Sequence, residues 1–351
     1  MRRLALLTAF LGALLGGCGA LEPPGPPSGE EAPAMLGLEL QCGPPGTRAG
    51  EPGPEYAIHG GCVLEFNSAG ERLEYLAFTG EEPPQIPVPR NQQVEIYVVA
   101  NPTCDLSEVS SKAELEQMRS DYTANTAGNL EMIGRYSGRI SSDSTVNVSL
   151  ERICAKIQVS KMVFKVASTR YEFTDADLNM AYMEKTPKDC SYLQKVPGEL
   201  MDTNTDRVDI GYIKRLLKNE TRYEQGEYKV WEYDDPWCVY CYPNASTDRQ
   251  KRNVFYVAYR FRYKTSWIDA ATGRQEIVFL YENAFARFYM PPMMPNTLYE
   301  LEKVVIDGTL NKSVDLDTKG GSGEAVECVF RMTDMTSGEY LGELKGEVRY
   351  E

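Results

Sequence analysis

Short apolar runs separated by turn residues recur along most of the chain and predict β-strands rather than helices. Residues 62–66 and 73–78 flank the turn-forming stretch 67–71, which is typical of a hairpin. Residues 94–100 form another apolar run, and residues 254–263 alternate between apolar and polar side chains in their latter part, as expected of a strand with one buried face. Strands at such regular spacing favour β-sandwiches or barrels over a parallel sheet.

Two short helices are predicted within this pattern. Ser111 followed by Glu114 has the spacing of a capping box and predicts a helix that continues to about Arg119. Apolar residues keep helical spacing between positions 209 and 217 and predict a second helix there. The predicted fold class is therefore mainly β, with short helices.

The first eighteen residues have the organisation of an export signal. Arg2 and Arg3 precede an apolar run at 4–15, which is too short to span a bilayer as a helix, and two glycines then lead into Cys18. A cysteine directly after small residues resembles the bacterial lipobox, in which that cysteine is lipidated and becomes the first residue of the mature protein. An ordinary signal peptide with an incidental cysteine is the alternative. We therefore expect a lipoprotein signal peptide at 1–18, a palmitate-type lipid on Cys18 and attachment to the outer membrane.

The chain after the leader divides into a tether and a folded part. Residues 19–34 are rich in proline and glycine, cannot bury much apolar surface and predict an extended linker. About 315 residues then remain, and a domain takes roughly 150 residues, so two domains are expected. We place the boundary at Arg152, which gives an N-terminal β-sandwich at 35–152 and a C-terminal β-sandwich at 153–351.

Composition narrows the classes of function. The formal net charge of −14 argues against nucleic acid as a partner. His59 is the only histidine, which excludes a histidine-rich metal site, and any histidine-based triad would have to use this residue. The sequence has no phosphate-binding loop, nucleophile elbow or paired-histidine motif. We predict that the protein is not an enzyme and has neither a cofactor nor a metal site.

The chain has nine cysteines, and their number indicates whether the protein could form disulfides after export. Without the lipidated Cys18 eight remain, an even number that suits disulfides in the oxidising environment of an exported protein. The candidates for structural disulfides, whose connectivity the spacing does not give, are Cys42, Cys62, Cys104, Cys154, Cys190, Cys238, Cys241 and Cys328. Cys238 and Cys241 have redox-motif spacing, but the acidic residues beside them would raise a thiol pKa, so a structural role is preferred to a catalytic one.

Tyrosine and tryptophan residues between 228 and 242 allow a second interpretation of function. If these rings were exposed and coplanar they could stack on sugars, whereas buried rings would belong to the core of a sheet, which is the more frequent arrangement. A surface glycan-binding β-sandwich lipoprotein is therefore the alternative function.

Five short motifs, in order along the chain, resemble those of the Bacteroidetes fimbrillins, the subunits of type V pili. The first two are the strand at 94–101 that ends in Ala-Asn and the Met-x-Gly step at 132–134. The next two are the Arg-x-x-Ala-Lys junction at 152–156 and the tyrosine-rich step at 240–244 that ends in Asn. The best match is the Asn-x-x-Tyr strand at 295–308, which ends in Ile-x-Gly. The resemblance implies two transthyretin-like β-sandwich domains in tandem and a role in pilus assembly and adhesion.

The resemblance also implies a mode of assembly. In this family an arginine-specific protease cuts a loop near the N-terminus of a lipoprotein precursor, a strand leaves, and a strand from another subunit fills the groove by β-augmentation. The matching cut here would separate Arg48 from Ala49, just after a candidate strand at 35–40. The expected partners are other pilus subunits through donor-strand exchange, the outer membrane through the lipid anchor, and host or bacterial surface ligands.

Two features make an uncleaved anchor or accessory subunit a rival to a shaft subunit. Cys42 lies on the segment that would leave, and a disulfide from it to the rest of the protein would hold the strand in place. The C-terminal segment 340–351 alternates only loosely, which makes it a weak donor strand. In either role the expected location is the fimbrium or the outer surface of the outer membrane.

Overall fold

The chain folds mainly into β-strands, as predicted. A computed structural model describes residues 32–43, 54–121, 125–167, 172–193, 195, 197–201, 208–211, 220–226, 228–234, 237–309 and 326–350. The strands in these ranges are β1 Ala34–Gln41, β2 Gly60–Asn67, β3 Arg72–Thr79, β4 Ile86–Val88, β5 Gln93–Ala100, β6 Arg119–Asp121, β7 Met132–Arg139, β8 Ser144–Arg152, β9 Ala155–Val159, β10 Met162–Ala167, β11 Glu172–Glu184, β12 Asp189–Ser191, β13 Val208–Gly211, β14 Glu220–Gln225, β15 Tyr228–Tyr233, β16 Trp237–Cys241, β17 Val254–Ile268, β18 Gln275–Tyr289, β19 Thr297–Leu301, β20 Val304–Thr309, β21 Val326–Asp334 and β22 Tyr340–Tyr350. Helix α1 spans Lys112–Gln117. None of the helical residues in the described ranges forms a helix long and apolar enough to cross a membrane.

The strands up to Arg152, apart from the short β6, form one seven-stranded sheet in the order β3-β2-β5-β7-β8-β1-β4. This sheet folds on itself where β7 pairs with β8 only at its first residues, so the layers β3-β2-β5-β7 and β8-β1-β4 enclose an apolar core. Gly134 lies at this corner, where an added Cβ would be 2.6 Å from Val148 Cγ1 and 2.7 Å from the carbonyl oxygen of Ser149. The two layers can meet because glycine has no side chain there.

Two further sheets are formed by strands that follow Arg152. One has nine strands in the order β13-β11-β17-β18-β22-β21-β19-β9-β16, and the other has four strands in the order β14-β15-β10-β20. The C-terminal strand β22 lies between β18 and β21 and pairs with both. Segment 340–350, a weak donor strand by its sequence, is therefore an interior strand of its own sheet.

The predicted hairpin near residue 67 and the predicted helix start near residue 111 are confirmed, but the helix ends at Gln117, and Arg119 begins strand β6. Strands β2 and β3 form the predicted hairpin, in which Asn67 Oδ1 accepts from the backbone amide of Glu71 at 3.0 Å. Helix α1 is capped by Ser111, whose Oγ accepts from the amide of Glu114 at 3.2 Å. The carboxylate of Glu114 accepts from the amide of Ser110 at 2.7 Å, one residue before the usual partner in a capping box.

The second predicted helix is wrong where it is described. Residues 209–211 belong to strand β13, which pairs with β11, and residues 212–217 lie outside the described part of the chain. Pairing with a long neighbouring strand outweighs the helical spacing of the apolar residues.

The proposed boundary at Arg152 separates the seven-stranded sheet from the nine-stranded and four-stranded sheets. Some contacts nevertheless join the two sides of this boundary. Strand β6 from the first part pairs with β12 from the second. One apolar cluster also joins Leu64 and Tyr97 to Tyr192 and Tyr242. Independent folding of residues 35–152 and 153–351 stays a prediction.

Candidate functional site at strand β1

Strand β1 lies inside the first sheet, parallel to β8 and antiparallel to β4. Alternate side chains point into the core: Ala34 and Leu36 are fully buried, and Leu38 is buried as well. Leu40 is half-buried and packs against the same core, whereas Met35 is exposed. Residues 36, 38 and 40 therefore face the same side of the strand, and the candidate strand at 35–40 is confirmed. Burying a leucine side chain contributes roughly 1.5–3 kcal/mol, so β1 is an integral part of the sandwich.

The beginning of β1 is held by a pair of charged residues. Nε of Arg90 donates to the carbonyl oxygen of Ala32 at 2.7 Å, and the amide of Met35 donates to Asp143 Oδ1 at 3.0 Å. Arg90 also donates to the carbonyl oxygen of Ser141 at 2.8 Å and lies 3.6 Å from Asp143. Because the Asp143 carboxylate is mostly exposed, the ion pair contributes at most about 1 kcal/mol. The ion pair therefore adds little to the hydrogen bonds that hold the start of the strand.

The other end of β1 is held by Arg152, the last residue of β8, which is fully buried. Its Nη2 donates to the carbonyl oxygens of Cys42 and Glu55, each at 2.9 Å, and its Nη1 donates to that of Met335 at 3.3 Å. Cys42 and Glu55 lie on either side of segment 44–53. One guanidinium therefore binds the residues that flank this segment and connects them to the second half of the chain.

Tyr56 adds two contacts at the same place. The guanidinium carbon of Arg152 lies 5.1 Å from the centre of the Tyr56 ring, within the range of a cation–π interaction. The thiol of Cys42 donates to the carbonyl oxygen of Tyr56 at 3.3 Å. The described residues on the two sides of segment 44–53 are thus also in direct contact with each other.

The carboxylate of Glu55, just after segment 44–53, contacts strands β9 and β16. Its Oε1 accepts from Lys156 Nζ at 2.5 Å and from the hydroxyl of Tyr240 at 2.6 Å. Burial opposes ionisation, but these two hydrogen bonds and the charge of Lys156 hold the pKa of Glu55 below its usual value. The carboxylate is therefore ionised at neutral pH.

Asn296 also belongs to the junction around Arg152. Its contacts explain why the Asn-x-x-Tyr motif at 295–308 has an asparagine at this position. Its backbone has a φ of 51°, a left-handed conformation that asparagine tolerates. Its Oδ1 accepts from the amide of Arg152 at 3.2 Å and from Thr336 Oγ1 at 3.1 Å, while its Nδ2 donates to Asp334 Oδ2 at 3.0 Å. This asparagine cross-links the end of β8 to the turn between β21 and β22.

Asn101, at the end of the first motif, has a similar role within the first half. Its φ is 52°, and its Nδ2 donates to the carbonyl oxygens of Ala57 and Leu130, each at 2.9 Å. Its Oδ1 accepts from the amide of His59 at 2.8 Å, and the Nε2 of that histidine lies 2.7 Å from the carbonyl oxygen of Gly128. Within the described residues, no group of three or more His, Cys, Asp or Glu side chains is arranged to hold a metal ion.

The buried carboxylate of Glu131 also joins the parts of the chain before and after Arg152. The sequence alone does not identify this residue. Glu131 is fully buried and accepts from Thr103 Oγ1 at 2.6 Å, Asn125 Nδ2 at 3.2 Å and the hydroxyl of Tyr192 at 2.5 Å. Burial raises the pKa of Glu131 despite these donors. In the sequence, Glu131 is only an acidic residue directly before an apolar strand. That pattern is too common to predict a contact between the two parts of the chain.

The candidate cleavage residues Arg48 and Ala49 lie outside the described residues, as does the candidate lipidation site Cys18. Cleavage and lipidation therefore stay predictions. The described chain stops at Gly43 and resumes at Pro54, and the contacts of Arg152 fix both attachment points of the segment between them.

The structure forms no disulfide among the candidate cysteines whose side chains it describes. All of these are free thiols: Cys42, Cys62, Cys104, Cys154, Cys190, Cys238 and Cys241. Of Cys328 only the position in strand β21 is described. The link that holds β1 to the rest of the protein in this structure is the Arg152 junction and not a disulfide of Cys42. Disulfide formation in the exported protein stays a prediction.

Burial keeps the thiols of Cys62 and Cys241 protonated at neutral pH. Burial, with the nearby Cys104, raises the pKa of Cys62 to about 12, and burial alone raises that of Cys241 to about 12. Cys238 and Cys241 are three residues apart on β16, so their side chains point to opposite faces of the sheet. This arrangement does not suit a redox pair.

The aromatic residues between 228 and 242 form no sugar-stacking platform in the part that is described. Trp231, Tyr233, Tyr240 and Tyr242 are all buried. Tyr240 and Tyr242 belong to the apolar cluster shared by the two halves. The interpretation of these four residues as a glycan-binding surface is therefore wrong, because their rings fill a core.

The chain is similar in fold to solved proteins of fimbriae and cell adhesion. No protein-family model and no curated protein matches it. A candidate cell adhesion protein from Parabacteroides distasonis is 16% identical with a TM-score of 0.50, over 79% of this chain and 89% of that chain. A fimbrilin from Porphyromonas gingivalis is 12% identical with a TM-score of 0.46, over 80% and 92% of the two chains. A fimbrial assembly protein from Parabacteroides distasonis is 13% identical with a TM-score of 0.44, over 88% and 98%. Fimbrial and cell adhesion proteins are thus among the solved structures to which this chain is similar, as the motifs predicted, and the likeness to the cell adhesion protein is one of fold.

Proposed function

We propose that this protein is a lipid-anchored surface protein of a fimbrium, an accessory or anchor subunit in which β1 is a replaceable strand. The observation that carries the proposal is the position of β1. It lies in the middle of a sandwich, yet it enters from the predicted tether and leaves into segment 44–53, which contains Arg48. A single cut in that segment would make β1 the end of a separate peptide.

Loss of β1 would create a groove with strong affinity for another strand. Leu36, Leu38 and Leu40 would leave the core, each with a loss of roughly 1.5–3 kcal/mol for full burial. The backbone edges of β4 and β8 would lose their hydrogen-bonding partner at the same time. An extended strand of alternating apolar residues from another subunit would restore both, which is the physical basis of β-augmentation.

The Arg152 junction sets the condition for release. After a cut at Arg48 the carbonyl oxygens of Cys42 and Glu55 would both remain bound to the same guanidinium. Cleavage would therefore leave β1 in place until the junction opens. A strand that is retained after cleavage suits an anchor or accessory subunit better than a shaft subunit.

Controlled cleavage tests the proposal. A recognition sequence for a site-specific protease would be inserted in segment 44–53, and the cut protein would be followed by size-exclusion chromatography and mass spectrometry. The cut protein should remain monomeric while residues 32–43 stay bound, and should form oligomers once mild urea releases them. Cut protein that has demonstrably lost β1 and still runs as a stable monomer would refute the strand-replacement role.

A further inference from the structure

Glu65 is a buried carboxyl group without a partner at the end of the first sandwich. It lies on β2 and is 1% exposed, and neither of its oxygens has a hydrogen-bond partner. Its strand neighbours are Ile96, which belongs to the sandwich core, and Glu74, which lies directly opposite on β3. A buried carboxylate normally has a cation or several donors beside it, because its desolvation is costly. The protein therefore maintains an acidic position that nothing in the described chain satisfies.

Glu65 is among the residues that line a cavity of about 630 Å³ beside strands β2, β3 and β4. Pro33, Pro87 and Leu73 supply apolar walls, and Glu74 adds a second carboxylate. The volume is within the range of ligand-binding pockets. Apolar walls around a pair of acidic groups suit an aliphatic stem that ends in a positive charge.

The basic residue nearest to the cavity is already bound elsewhere. Arg90 lines the cavity, but it donates to the carbonyl oxygens of Ala32 and Ser141 and pairs with Asp143. The segment that leads into β1 cannot supply a cation either, because the sequence contains no lysine or arginine from residue 4 to residue 47.

The cavity lies where any strand in the place of β1 must pass. Pro33 directly precedes β1, and Pro87 is the register partner of Met35. The residue just before the first inward-facing position, Ala34, is therefore adjacent to the cavity.

We propose that this cavity binds the basic side chain of an incoming strand, one with lysine or arginine just before its alternating apolar residues. This inference rests on the proposed function, since it specifies which strand replaces β1. The native β1 brings no basic side chain to the acidic cavity, whereas a strand with a basic residue at this position would. Replacement of β1 would then favour the incoming strand even when the two strands bury equal apolar area.

Peptide competition tests the inference on the full chain with a protease site in segment 44–53. After cleavage, three peptides would compete for the groove against a labelled peptide of native sequence 32–43. One has the native sequence, one has lysine in place of Pro33, and one has methionine there as a neutral control of similar length. The lysine peptide should bind at least tenfold more tightly than the methionine peptide. The advantage should vanish in Glu65→Gln and persist in Glu82→Gln, which removes an exposed acid outside the cavity.

The outcomes separate the two proposals. Binding of all three peptides with equal affinity would overturn the cavity inference and leave strand replacement standing. A lysine advantage that survives Glu65→Gln would also overturn it, because the benefit would then come from general attraction to an acidic protein. Failure of even the native-sequence peptide to bind would overturn strand replacement and the cavity inference together.

Discussion

Replacing Arg152 with methionine should loosen the attachment of β1. Methionine keeps an unbranched stem but cannot donate a hydrogen bond, so the carbonyl oxygens of Cys42, Glu55 and Met335 would lose their donor. The cation–π contact with Tyr56 would also disappear.

The expected loss of stability is about 2–4 kcal/mol. Each buried carbonyl left without a donor costs about 1–3 kcal/mol, and breaking a buried charged network typically costs about 3–5 kcal/mol. The total is reduced because the variant no longer buries a charge, and because Nε of Arg152 has no partner in the native protein. Arg152→Lys should lose less stability than Arg152→Met, because lysine keeps a charged donor. It should still be less stable than the native protein, because one ammonium cannot reach all three carbonyls with the geometry of the guanidinium.

Urea unfolding and amide exchange would measure the effect. The matched control is Arg135→Met, which removes a half-exposed arginine paired with Glu95 on the outside of the sheet and should cost less than about 1 kcal/mol. Amides of β1 should lose protection in Arg152→Met and keep it in Arg135→Met. Equal destabilisation by the two variants, or unchanged protection of β1 in Arg152→Met, would refute the assignment of Arg152 as the residue that holds the strand.

Three further predictions concern single side chains. Burial, with the charge of Glu74, raises the pKa of Glu65 from 4.5 to about 7, so the native state loses stability as the pH rises through this interval. Glu65→Gln should therefore be more stable than the native protein by about 3 kcal/mol at pH 8 and nearly equal to it below pH 4.5, as measured by urea midpoints. A pH-independent difference would contradict this. Leu36→Ala should cost about 2–5 kcal/mol, whereas Leu73→Ala, at an exposed position, should cost under about 1 kcal/mol, and calorimetry would compare them. Cys18→Ala should leave the membrane fraction of the native cell, and a variant that is processed yet remains in that fraction would count against the lipid anchor.

Local chemistry made the strands and turns predictable. The hairpin of β2 and β3 follows from alternating apolar residues and from Asn67, whose side chain binds the amides of its own turn. Helix α1 follows from Ser111 and Glu114 in the same way. These signals depend on neighbours only a few residues apart, so the sequence contains them directly.

Long-range contacts explain what the sequence did not reveal. Arg152 was identified as part of a junction motif, but its bond to Cys42 joins residues separated by 110 positions, and no spacing predicts it. Glu65 would be expected on the outer face of its strand. Strand β2 has no such face, because Val63 packs in the sandwich core on one side while Leu64 packs in the second cluster on the other. The contact of Arg152 and the burial of Glu65 both depend on which distant parts of the chain pack against a strand. The periodicity of apolar residues does not specify this.

Exchange of β1 for an added strand tests the central claim most directly. The protein cut within segment 44–53 would be mixed with an isotopically labelled peptide of sequence 32–43, and native mass spectrometry would follow incorporation over time. Slow incorporation into the native protein, with at least tenfold faster incorporation into Arg152→Met and an unchanged rate in Arg135→Met, is the predicted result. Equal rates in all three proteins, or no incorporation after the original strand has dissociated, would contradict the account.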